Sequence, residues 1–381
     1  MIQHHIVVLG GGYAGMMCAL RLDRRLRHRD DVHITLVNPS PRFTERLRTH
    51  QLAAGRRPEE YRIEDLLEPT AIEFICGTAT VIDTETRMIA VETLGQKRHL
   101  DYDVLVYALG SIADTRAVPG AERYAHTLDS PQRAERLAHR LGELGAGATV
   151  TVCGGGLTGV EGAAEIAEAY PYLRVSLVSR GEPAAALGPR ARGHVRAAFD
   201  RLGITVHDGS VTKVSPVAVE LDGGEPLGSD VTVWTGGVRV PELAADSGIG
   251  TDERGLVTVD PTLRARTHPD IYAIGDAAAI RQRWGQLHGT CQSALPAGAH
   301  AADQIARELR GLEPKPFRFG YFHQPVSLGR RDAVIQYVHQ DARPRRFVLT
   351  GSRAVRYKEY VSRRPVRTYR KVPGLLGLLA S

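Results

Sequence analysis

The sequence predicts an α/β fold in which one strand–turn–helix–strand unit occurs twice and a small α+β region follows. Two stretches carry this prediction: IVVLGGGYAGMMCAL at residues 6–20 and VTVCGGGLTGVEGAAEIAE at residues 150–168. In each, a short apolar run ends in glycines and passes into a helical pattern, as a strand does before a helix. The two glycine runs lie 144 residues apart, which is the size of a domain and not of a solenoid repeat.

Each unit has the elements of a βαβ motif. The predicted strand, helix and strand occupy residues 5–9, 14–27 and 32–37 in the first unit and residues 150–152, 160–169 and 174–178 in the second. Parallel strands joined through a helix build buried parallel sheets. We therefore expect two Rossmann-like sheets, each with its glycine turn at the carboxyl end of its first strand.

The glycines of each turn have the spacing G-x-G-x-x-G. Gly10 permits the tight turn, Gly12 lets the backbone approach a pyrophosphate, and Gly15 lets helix and strand pack closely. The helix N-terminus, with Ala14, then presents free N–H groups and a positive dipole end to the phosphates. The second turn repeats the pattern at Gly154, Gly156 and Gly159. Because each motif follows a strand and opens a helix, we expect two dinucleotides to bind at once.

Three further predicted strands end at glycine. They are DYDVLVYALGS at Gly110, DVTVWTGGV at Gly236 and PDIYAIGDAAA at Gly275. Glycine in these places suits a backbone that comes close to a ligand. Asp276 follows at a predicted helix N-terminus, where it would cap the helix or hold a sugar or ribityl hydroxyl.

These pieces, in this order, resemble the two-dinucleotide-binding flavoproteins of the pyridine nucleotide–disulfide oxidoreductase superfamily, over nearly the whole chain. The resemblance implies a glutathione-reductase-like arrangement, with FAD on the first unit and NAD(P)H on the second. It also implies an FAD-binding domain formed by residues 1–112 and 236–305, an NAD(P)-binding domain inserted at residues 113–235, and a C-terminal domain at residues 306–381. Asn38, at the end of the second strand, stands where that family usually has an acid that holds a ribose.

Many members of that superfamily carry a redox disulfide near the flavin, and this sequence has none. The four cysteines, Cys18, Cys76, Cys153 and Cys291, are widely spaced, so we expect neither disulfides nor a metal site. The chain is more similar to the type II NADH dehydrogenases, which reduce quinones without a dithiol. On that resemblance, Arg46 and Leu47 lie beside FAD, and His50 lies near the flavin with Gln51. Glu161 lies near the contact between nicotinamide and flavin.

Two features depart from that family. The family's quinone-side helix usually carries two glutamines, whereas here only Gln292 matches and Pro296 replaces the second. This puts the quinone acceptor in doubt. Ser179 and Arg180 end the strand where an acid would favour NADH, and they favour NADPH because a serine and an arginine accommodate a 2′-phosphate.

The predicted reaction is hydride transfer from NAD(P)H to flavin N5, followed by transfer of two electrons to a quinone or small organic acceptor. The cofactors carry the chemistry, and the protein aligns them. Glu161 is the candidate for positioning the nicotinamide or relaying a proton, with a first-turn helix acid as the alternative. His50 is the candidate proton donor because histidine titrates near neutrality, with a role in shaping the pocket as the alternative.

The net charge of +6 arises from an excess of basic residues near the carboxyl end. Residues 343–371 hold eleven lysines and arginines and one glutamate, so this stretch is +10 and the rest of the chain is −4. We therefore expect no nucleic-acid binding. The stretch and the leucines after it are interpreted either as a peripheral membrane contact or as a solvated or dimer-contacting tail. Pro365 and Pro373 are expected to interrupt any long helix in this region.

Several alternatives stay open. The enzyme would reduce a ferredoxin-like protein through its basic stretch, or it would be an NAD(P)H-sensing flavoprotein of the apoptosis-inducing-factor type. No leader precedes the first strand and no apolar run approaches the length of a membrane span, so we expect a cytoplasmic protein, peripheral at most on the inner face of the membrane. A homodimer is the commonest closed assembly.

Overall fold

The computed structural model describes residues 4–371, which contain twenty-five strands and ten α-helices. The terminal leucines that the sequence offers for membrane contact, with Pro373, lie outside the described residues. None of the described helices is both long enough and apolar enough to cross a membrane.

The strands, in chain order, are β1 (His4–Leu9), β2 (Val32–Asn38), β3 (Glu73–Cys76), β4 (Thr78–Asp83), β5 (Met88–Thr93), β6 (Gln96–Asp101), β7 (Val104–Tyr107), β8 (Ile112–Ala113), β9 (Ala125–Thr127), β10 (Thr149–Cys153), β11 (Arg174–Ser179), β12 (Thr205–Asp208), β13 (Val211–Val214), β14 (Ala218–Leu221), β15 (Leu227–Gly228), β16 (Val231–Trp234), β17 (Val238–Arg239), β18 (Val257–Thr258), β19 (Ile271–Ala273), β20 (Ala278–Ala279), β21 (Arg281–Gln282), β22 (Gly285–Gln286), β23 (His323–Ser327), β24 (Ala333–Val338) and β25 (Pro344–Thr350). The helices are α1 (Tyr13–Leu26), α2 (Thr49–Ala53), α3 (Ile63–Leu67), α4 (Ala121–Tyr124), α5 (Pro131–Gly142), α6 (Leu157–Ala169), α7 (Pro189–Leu202), α8 (Leu243–Asp246), α9 (Cys291–Glu308) and α10 (Gly351–Lys371).

The first glycine turn belongs to a five-stranded sheet of order β19-β7-β1-β2-β3. All its pairings are parallel, and β1 lies between β2 and β7. The inner strands are almost continuously apolar and buried, as strands covered on both faces must be. Helices α1 and α9 pack against each other beside this sheet, so residues from before and after the second glycine turn share one core.

The second glycine turn belongs to another parallel five-stranded sheet, of order β12-β11-β10-β16-β9. Its core is separate from the first and is built mainly from β10, β11, β16 and helices α5, α6 and α7. In both sheets the glycine turn leaves the strand that lies between two neighbours. The predicted fold class, two Rossmann-like units with a further α+β region, is therefore confirmed.

The C-terminal region consists of the antiparallel sheet β23-β24-β25 and helix α10, which packs on that sheet and on α1. Most of the basic stretch is thus folded structure and not a tail. The expectation that Pro365 interrupts a long helix is wrong, because α10 runs for 21 residues through it. The ring of Pro365 is buried, and burial of that helix face offsets the missing backbone hydrogen bond.

Candidate functional site

The first glycine turn has the shape that a pyrophosphate needs. Gly10 has φ +106°, a left-handed conformation that glycine adopts without strain, and a Cβ at Gly15 would overlap the carbonyl oxygen of Gly10. At Gly12, by contrast, no protein atom lies within 4 Å of the position a Cβ would take, and the residue is exposed. The turn is therefore tightly packed on its inner side and open on its outer side.

The second turn has the same geometry. Gly154 has φ +125°, and a Cβ at Gly159 would overlap the carbonyl oxygen of Gly154. Gly156 is exposed and has open space before it. The end of β16 closes this turn from the side: Thr235 Oγ1 donates to the carbonyl oxygen of Gly154 at 3.2 Å, and Gly236 follows it. The predicted Gly236 thus lies against the second turn.

Both helices begin without a cap. The N-cap residues of α1 and α6 are Gly12 and Gly156, no side chain accepts a hydrogen bond there, and neither first turn contains an acid. The leading N–H groups of each helix therefore point outwards with a positive dipole end and no competing carboxylate. This arrangement fits the pyrophosphate of a dinucleotide at each turn. Ala14, in the first turn of α1, is buried behind this surface.

The side chain of Asn38 shapes the first turn. Its Oδ1 accepts from the backbone N–H of Gly11 at 2.8 Å, and its Nδ2 donates to the carbonyl oxygen of Ser40 at 2.8 Å. Both ends of the amide are therefore engaged within the protein. Its predicted contact with a ribose would have to use the second lone pair of Oδ1 or the second hydrogen of Nδ2.

Three segments that the sequence assigned to the flavin meet in one cluster. Arg46 donates to the hydroxyl and the carbonyl oxygen of Ser111, at 3.1 and 2.7 Å, and lies 3.4 Å from Asp276 Oδ2. The hydroxyl of Ser111 donates to the same carboxylate oxygen at 2.8 Å. Gly110 and Gly275, beside these residues, both have positive φ, at +69° and +71°. The structure therefore brings the segments around residues 46, 110 and 275 together.

The prediction of a helix N-terminus at Asp276 is wrong. Asp276 lies in the three-residue 3-10 turn Gly275–Ala277, and the following long helix, α9, begins at Cys291. Its carboxylate is held by Ser111 and Arg46 and not by helix N–H groups. Leu47 lies on the same segment as Arg46, half-buried, with its N–H 3.5 Å from the hydroxyl of Tyr13.

The end of β11 carries the residues expected to select the nicotinamide cofactor. Ser179 is buried against Gly155 of the second turn, and Arg180 is exposed. Within residues 4–371 the guanidinium of Arg180 has no ion-pair partner. Asp208, at the end of the neighbouring strand, accepts from the N–H of Gly181 at 2.8 Å. A cation and an acid therefore both stand at this edge of the sheet.

Glu161 is a buried carboxylate with a buried lysine as its partner. Its Oε1 accepts from the N–H of Ser327 at 2.9 Å and from Lys358 Nζ, on α10. Burial alone raises the pKa of Glu161, but Lys358, His50 and the N–H of Ser327 together outweigh burial, and the pKa is lowered. Glu161 is the fifth residue of α6 and so lies in its second turn, which excludes the first-turn alternative. An ionised carboxylate thus lies one turn behind the second glycine loop.

His50 lies between two carboxylates but is neutral near pH 7. Its Nδ1 is 3.8 Å from Glu161 Oε2, and its Nε2 is 3.7 Å from Glu165 Oε1. Burial lowers the pKa of His50 to about 4, so the expectation that it titrates near neutrality is wrong. Burial also raises the pKa of Glu165 to about 7. Of His50, Glu161 and Glu165, the group that titrates near neutrality is therefore Glu165.

A chain of ion pairs continues from Glu165 to the surface. Arg330 lies 3.2 Å from Glu165 and 3.4 Å from Glu359, and Glu359 pairs with Arg48 at 2.7 Å. Arg48, Glu359 and Arg330 line a cavity of about 630 Å³ between the segment after Arg46 and helix α10. Gln51, next to His50, lines the same cavity. Glu165 is thus connected through Arg330 to the lining of this cavity.

Sequence reasoning missed Lys358, Glu165 and Arg330. Glu165 follows Glu161 by four residues, one turn along α6, and this spacing was a usable signal. Lys358 and Arg330 come from the C-terminal region, 197 and 165 residues away from their partners, and no local pattern marks them.

Gln292 does not join this group. Its amide holds the backbone of the C-terminal region, donating to the carbonyl oxygen of His323 at 3.1 Å and accepting from the N–H of Phe322 at 3.0 Å. All four cysteines are free, and burial raises the pKa of Cys291 to about 12, so it is not a reactive thiolate. Among residues 4–371 no group of three potential ligands could hold a metal ion.

Comparisons with known proteins identify similar sequences and structures over nearly the whole chain. The family model described as pyridine nucleotide-disulphide oxidoreductase matches residues 4–303. An NADH dehydrogenase-like protein of Mycobacterium tuberculosis is 30% identical over 95% of this chain and 94% of its own length. A type II NADH:quinone oxidoreductase of Staphylococcus haemolyticus is 26% identical over 95% of this chain and 94% of its own. The structure of NDH2 from Plasmodium falciparum in complex with NADH superposes with a TM-score of 0.82 at 16% identity, over 97% of both chains.

Proposed function

The chain belongs to the pyridine nucleotide-disulphide oxidoreductase family and is an FAD-dependent NAD(P)H oxidoreductase, and we propose that its electron acceptor is a quinone. The binding of two cofactors is supported by one observation. Two glycine turns of the same geometry, each opening a helix without a side-chain cap, follow strands of two separate parallel sheets in one chain. The similarity to a relative named type II NADH:quinone oxidoreductase supports the acceptor.

The overall reaction is the reduction of one quinone by one NAD(P)H and one proton. Two electrons leave the dihydronicotinamide with its hydride, and the quinone takes up two electrons and two protons to become a hydroquinone. FAD, when bound, supplies the two-electron carrier between donor and acceptor. Since all four cysteines are free and far apart in the sequence, a protein disulfide is no part of this path.

We assign the binding and orientation of the cofactors to the glycine turns and to the cluster of Arg46, Ser111 and Asp276. Gly12 and Gly156 leave the backbone N–H groups of α1 and α6 accessible to two pyrophosphates. The guanidinium of Arg46 is fixed by Ser111 and Asp276, so any group it holds is held without further loss of side-chain entropy.

We assign proton supply to Glu161, Glu165 and Lys358, with His50 as a neutral bridge. A quinone needs one proton more than the hydride brings, and Glu165 holds or releases a proton near pH 7 because burial raises its pKa to about 7. Neutral His50 lies 3.8 Å from Glu161 and 3.7 Å from Glu165, which is beyond hydrogen-bond range, so a relay through its two ring nitrogens requires a small shift of the ring. Lys358 keeps Glu161 ionised and fixed in position.

The choice of nicotinamide cofactor is a finer proposal. Exposed Arg180 and the absence of an acid at Ser179 support NADPH, because a guanidinium pairs well with a 2′-phosphate. Asp208, an acid on the neighbouring strand, argues against NADPH, and the relatives' names mention NADH. We propose that NADPH is used, with NADH as the competing donor.

The test is an anaerobic titration of the flavin-loaded protein with NADPH and, separately, with NADH, followed by menadione. We expect one nucleotide to bleach the flavin absorbance and menadione to restore it. Bleaching without recovery would remove the quinone from the proposal and favour a ferredoxin-like protein partner or a sensor. Failure of both nucleotides to bleach the flavin would contradict the role of the second glycine turn.

A quinone that stays in a bilayer would need membrane contact. The exposed basic residues within 343–371, which exclude the buried Lys358, are the surface that we propose for a peripheral contact of a cytoplasmic enzyme, since each basic side chain near an anionic surface contributes about 1 kcal/mol.

A further inference from the structure

The cavity of about 630 Å³ beside α10 has an unusual concentration of arginine. Its lining contains seven arginines and three glutamates. Burial raises the pKa of one of the three, Glu45, to about 7, so this carboxyl is only partly ionised at neutral pH. The cavity is therefore strongly positive, and a cleft lined by one sign of charge concentrates ligands of the opposite sign.

Not all of this charge is used within the protein. Arg48 and Arg330, at the inner wall, are paired with Glu359. Arg56, Arg57 and Arg367 are exposed at the rim and make no ion pair within residues 4–371. Three guanidinium groups thus remain free to bind an anion.

The cavity also offers a surface for a flat ring. Tyr61, Pro58 and Val366 line it, and Arg370 lies over the ring of Tyr61 at 5.2 Å from its centroid. An aromatic ring and a stacked guanidinium together suit a planar ligand that carries negative charge.

The inner wall of the cavity adjoins the predicted flavin segment. Glu45 and Arg48 line the cavity, and Arg46 and Leu47 lie between them in the sequence, with Arg46 in the cluster that contains Asp276. Gln51, next to His50, places the cavity beside the buried carboxylates. A ligand in the cavity is therefore close to both the expected flavin and the expected proton supply.

We propose that this cavity binds the anionic group of the electron acceptor, so that the enzyme prefers planar acceptors bearing a sulfonate, carboxylate or phosphate to neutral acceptors of the same ring system. The inference rests on the proposed quinone reductase function. The electrons balance as before: the acceptor takes up two electrons and two protons, and its anionic substituent is not changed.

The test compares naphthoquinone with naphthoquinone sulfonate as acceptors for the flavin-loaded enzyme. The variant carries Arg56→Gln, Arg57→Gln and Arg367→Gln, all at exposed positions. A matched control carries Arg254→Gln, Arg283→Gln and Arg318→Gln, which also removes three exposed arginines but none that lines the cavity or belongs to residues 343–371. We expect the cavity variant to lose about tenfold in kcat/KM for the sulfonate, mainly through KM, and little for naphthoquinone. The control should change neither value.

A second readout needs no turnover. Calorimetric titration with naphthalene sulfonate, which is not reducible, should show binding to the parent protein and the control, and weaker binding to the cavity variant. Neutral naphthol should show no such difference. An unchanged ratio of the two kcat/KM values, with turnover intact, would overturn the inference and leave the quinone reductase function standing. Absence of any quinone turnover would instead contradict the proposed function.

Binding to vesicles of phosphatidylglycerol tests the alternative that the rim arginines contact a membrane surface. If the cavity variant loses vesicle binding while the preference for the sulfonate persists, the rim arginines serve a membrane surface and the inference is wrong. If vesicle binding is the same in all three proteins and the preference for the sulfonate falls only in the cavity variant, the arginines serve the acceptor.

Discussion

At the scale of single residues, the buried ion pair formed by Glu161 and Lys358 contributes to stability. Both side chains are largely buried, at 15% and 8% exposure, so removal of Lys358 leaves the carboxylate of Glu161 without its cationic partner. We expect Lys358→Met to lower the free energy of unfolding by about 3 kcal/mol, because an uncompensated buried charge is costly. Urea denaturation at pH 7 measures this loss.

A double-variant cycle separates the charge from the packing. Lys358→Met combined with Glu161→Gln removes both charges, and we expect this protein to recover most of the lost stability. If the double variant is as unstable as Lys358→Met alone, the lysine contributes through packing and the ion pair is not the cause.

Glu165 makes stability depend on pH in a predictable direction. Its ordinary pKa is 4.5 and burial raises it to about 7 in the folded protein, so the folded state binds the proton more tightly. This contribution is fully present below pH 4.5 and is lost as the pH rises through about 7, with a size on the order of 3 kcal/mol. We expect Glu165→Gln to remove this part of the decline, as measured by unfolding between pH 5 and 8.

Glu45 is a second source of the same decline, since burial also raises its pKa to about 7. The free energy of unfolding of the Glu165→Gln protein should therefore still fall as the pH rises, but less steeply than that of the parent protein. Glu60→Gln, at an exposed position, is the control and should follow the parent protein. A Glu165→Gln protein with the slope of the parent would show that Glu165 is already ionised in the folded state.

At the scale of elements, helix α10 joins the C-terminal region to the first glycine turn. Tyr369, which is fully buried near the end of α10, donates its hydroxyl to the carbonyl oxygen of Tyr13 at 3.0 Å. Its ring meets Phe43 edge to face, and Phe43 meets Tyr13 in the same way. This aromatic cluster fixes the end of the helix against the first residue of α1.

We expect the two functions of Tyr369 to separate by substitution. Tyr369→Phe keeps the ring and loses one buried hydrogen bond, which costs about 1 kcal/mol. Tyr369→Ala also leaves a cavity and costs about 3–5 kcal/mol. Guanidinium denaturation gives both values, and limited proteolysis should cut α10 only in Tyr369→Ala. Equal losses in the two proteins would show that the hydrogen bond, and not the packing, holds the helix.

At the scale of the whole molecule, what the sequence predicts well is local. The two glycine turns are each specified by consecutive residues, so their strands, helices and open outer faces follow from spacing alone. The meeting of Arg46 with Asp276 was reached through a family resemblance, because no rule of spacing joins residues 230 positions apart.

What the sequence predicts badly depends on tertiary contacts. Pro365 indicated a broken helix, but the buried face of α10 outweighs the local penalty. The sequence indicated that His50 titrates near neutrality, but burial lowers its pKa to about 4. Burial of Glu165 raises the pKa of that carboxyl to about 7, so Glu165 titrates near neutrality instead. Lys358 carried no signal because its partner lies in another region of the chain.

The assignment of one dinucleotide to each turn can be tested with two matched substitutions. Gly12 and Gly156 have negative φ, and nothing in the protein lies within 4 Å of a Cβ at either position, so alanine is tolerated by the fold. The added methyl group would instead occupy the space that the pyrophosphate needs. We expect Gly12→Ala to be purified with little flavin, and Gly156→Ala to retain flavin that dithionite bleaches but NAD(P)H does not.

The absorbance at 450 nm per mole of protein, before and after each reductant, distinguishes the two cases. Unchanged unfolding of both apoproteins in urea is the control, since it separates blocked binding from misfolding. If Gly156→Ala loses flavin and Gly12→Ala retains it, the two cofactors are assigned to the wrong turns. If both variants keep flavin and are reduced normally, the turns do not carry the phosphates, and the symmetry between the two sheets reflects a shared fold without a shared function.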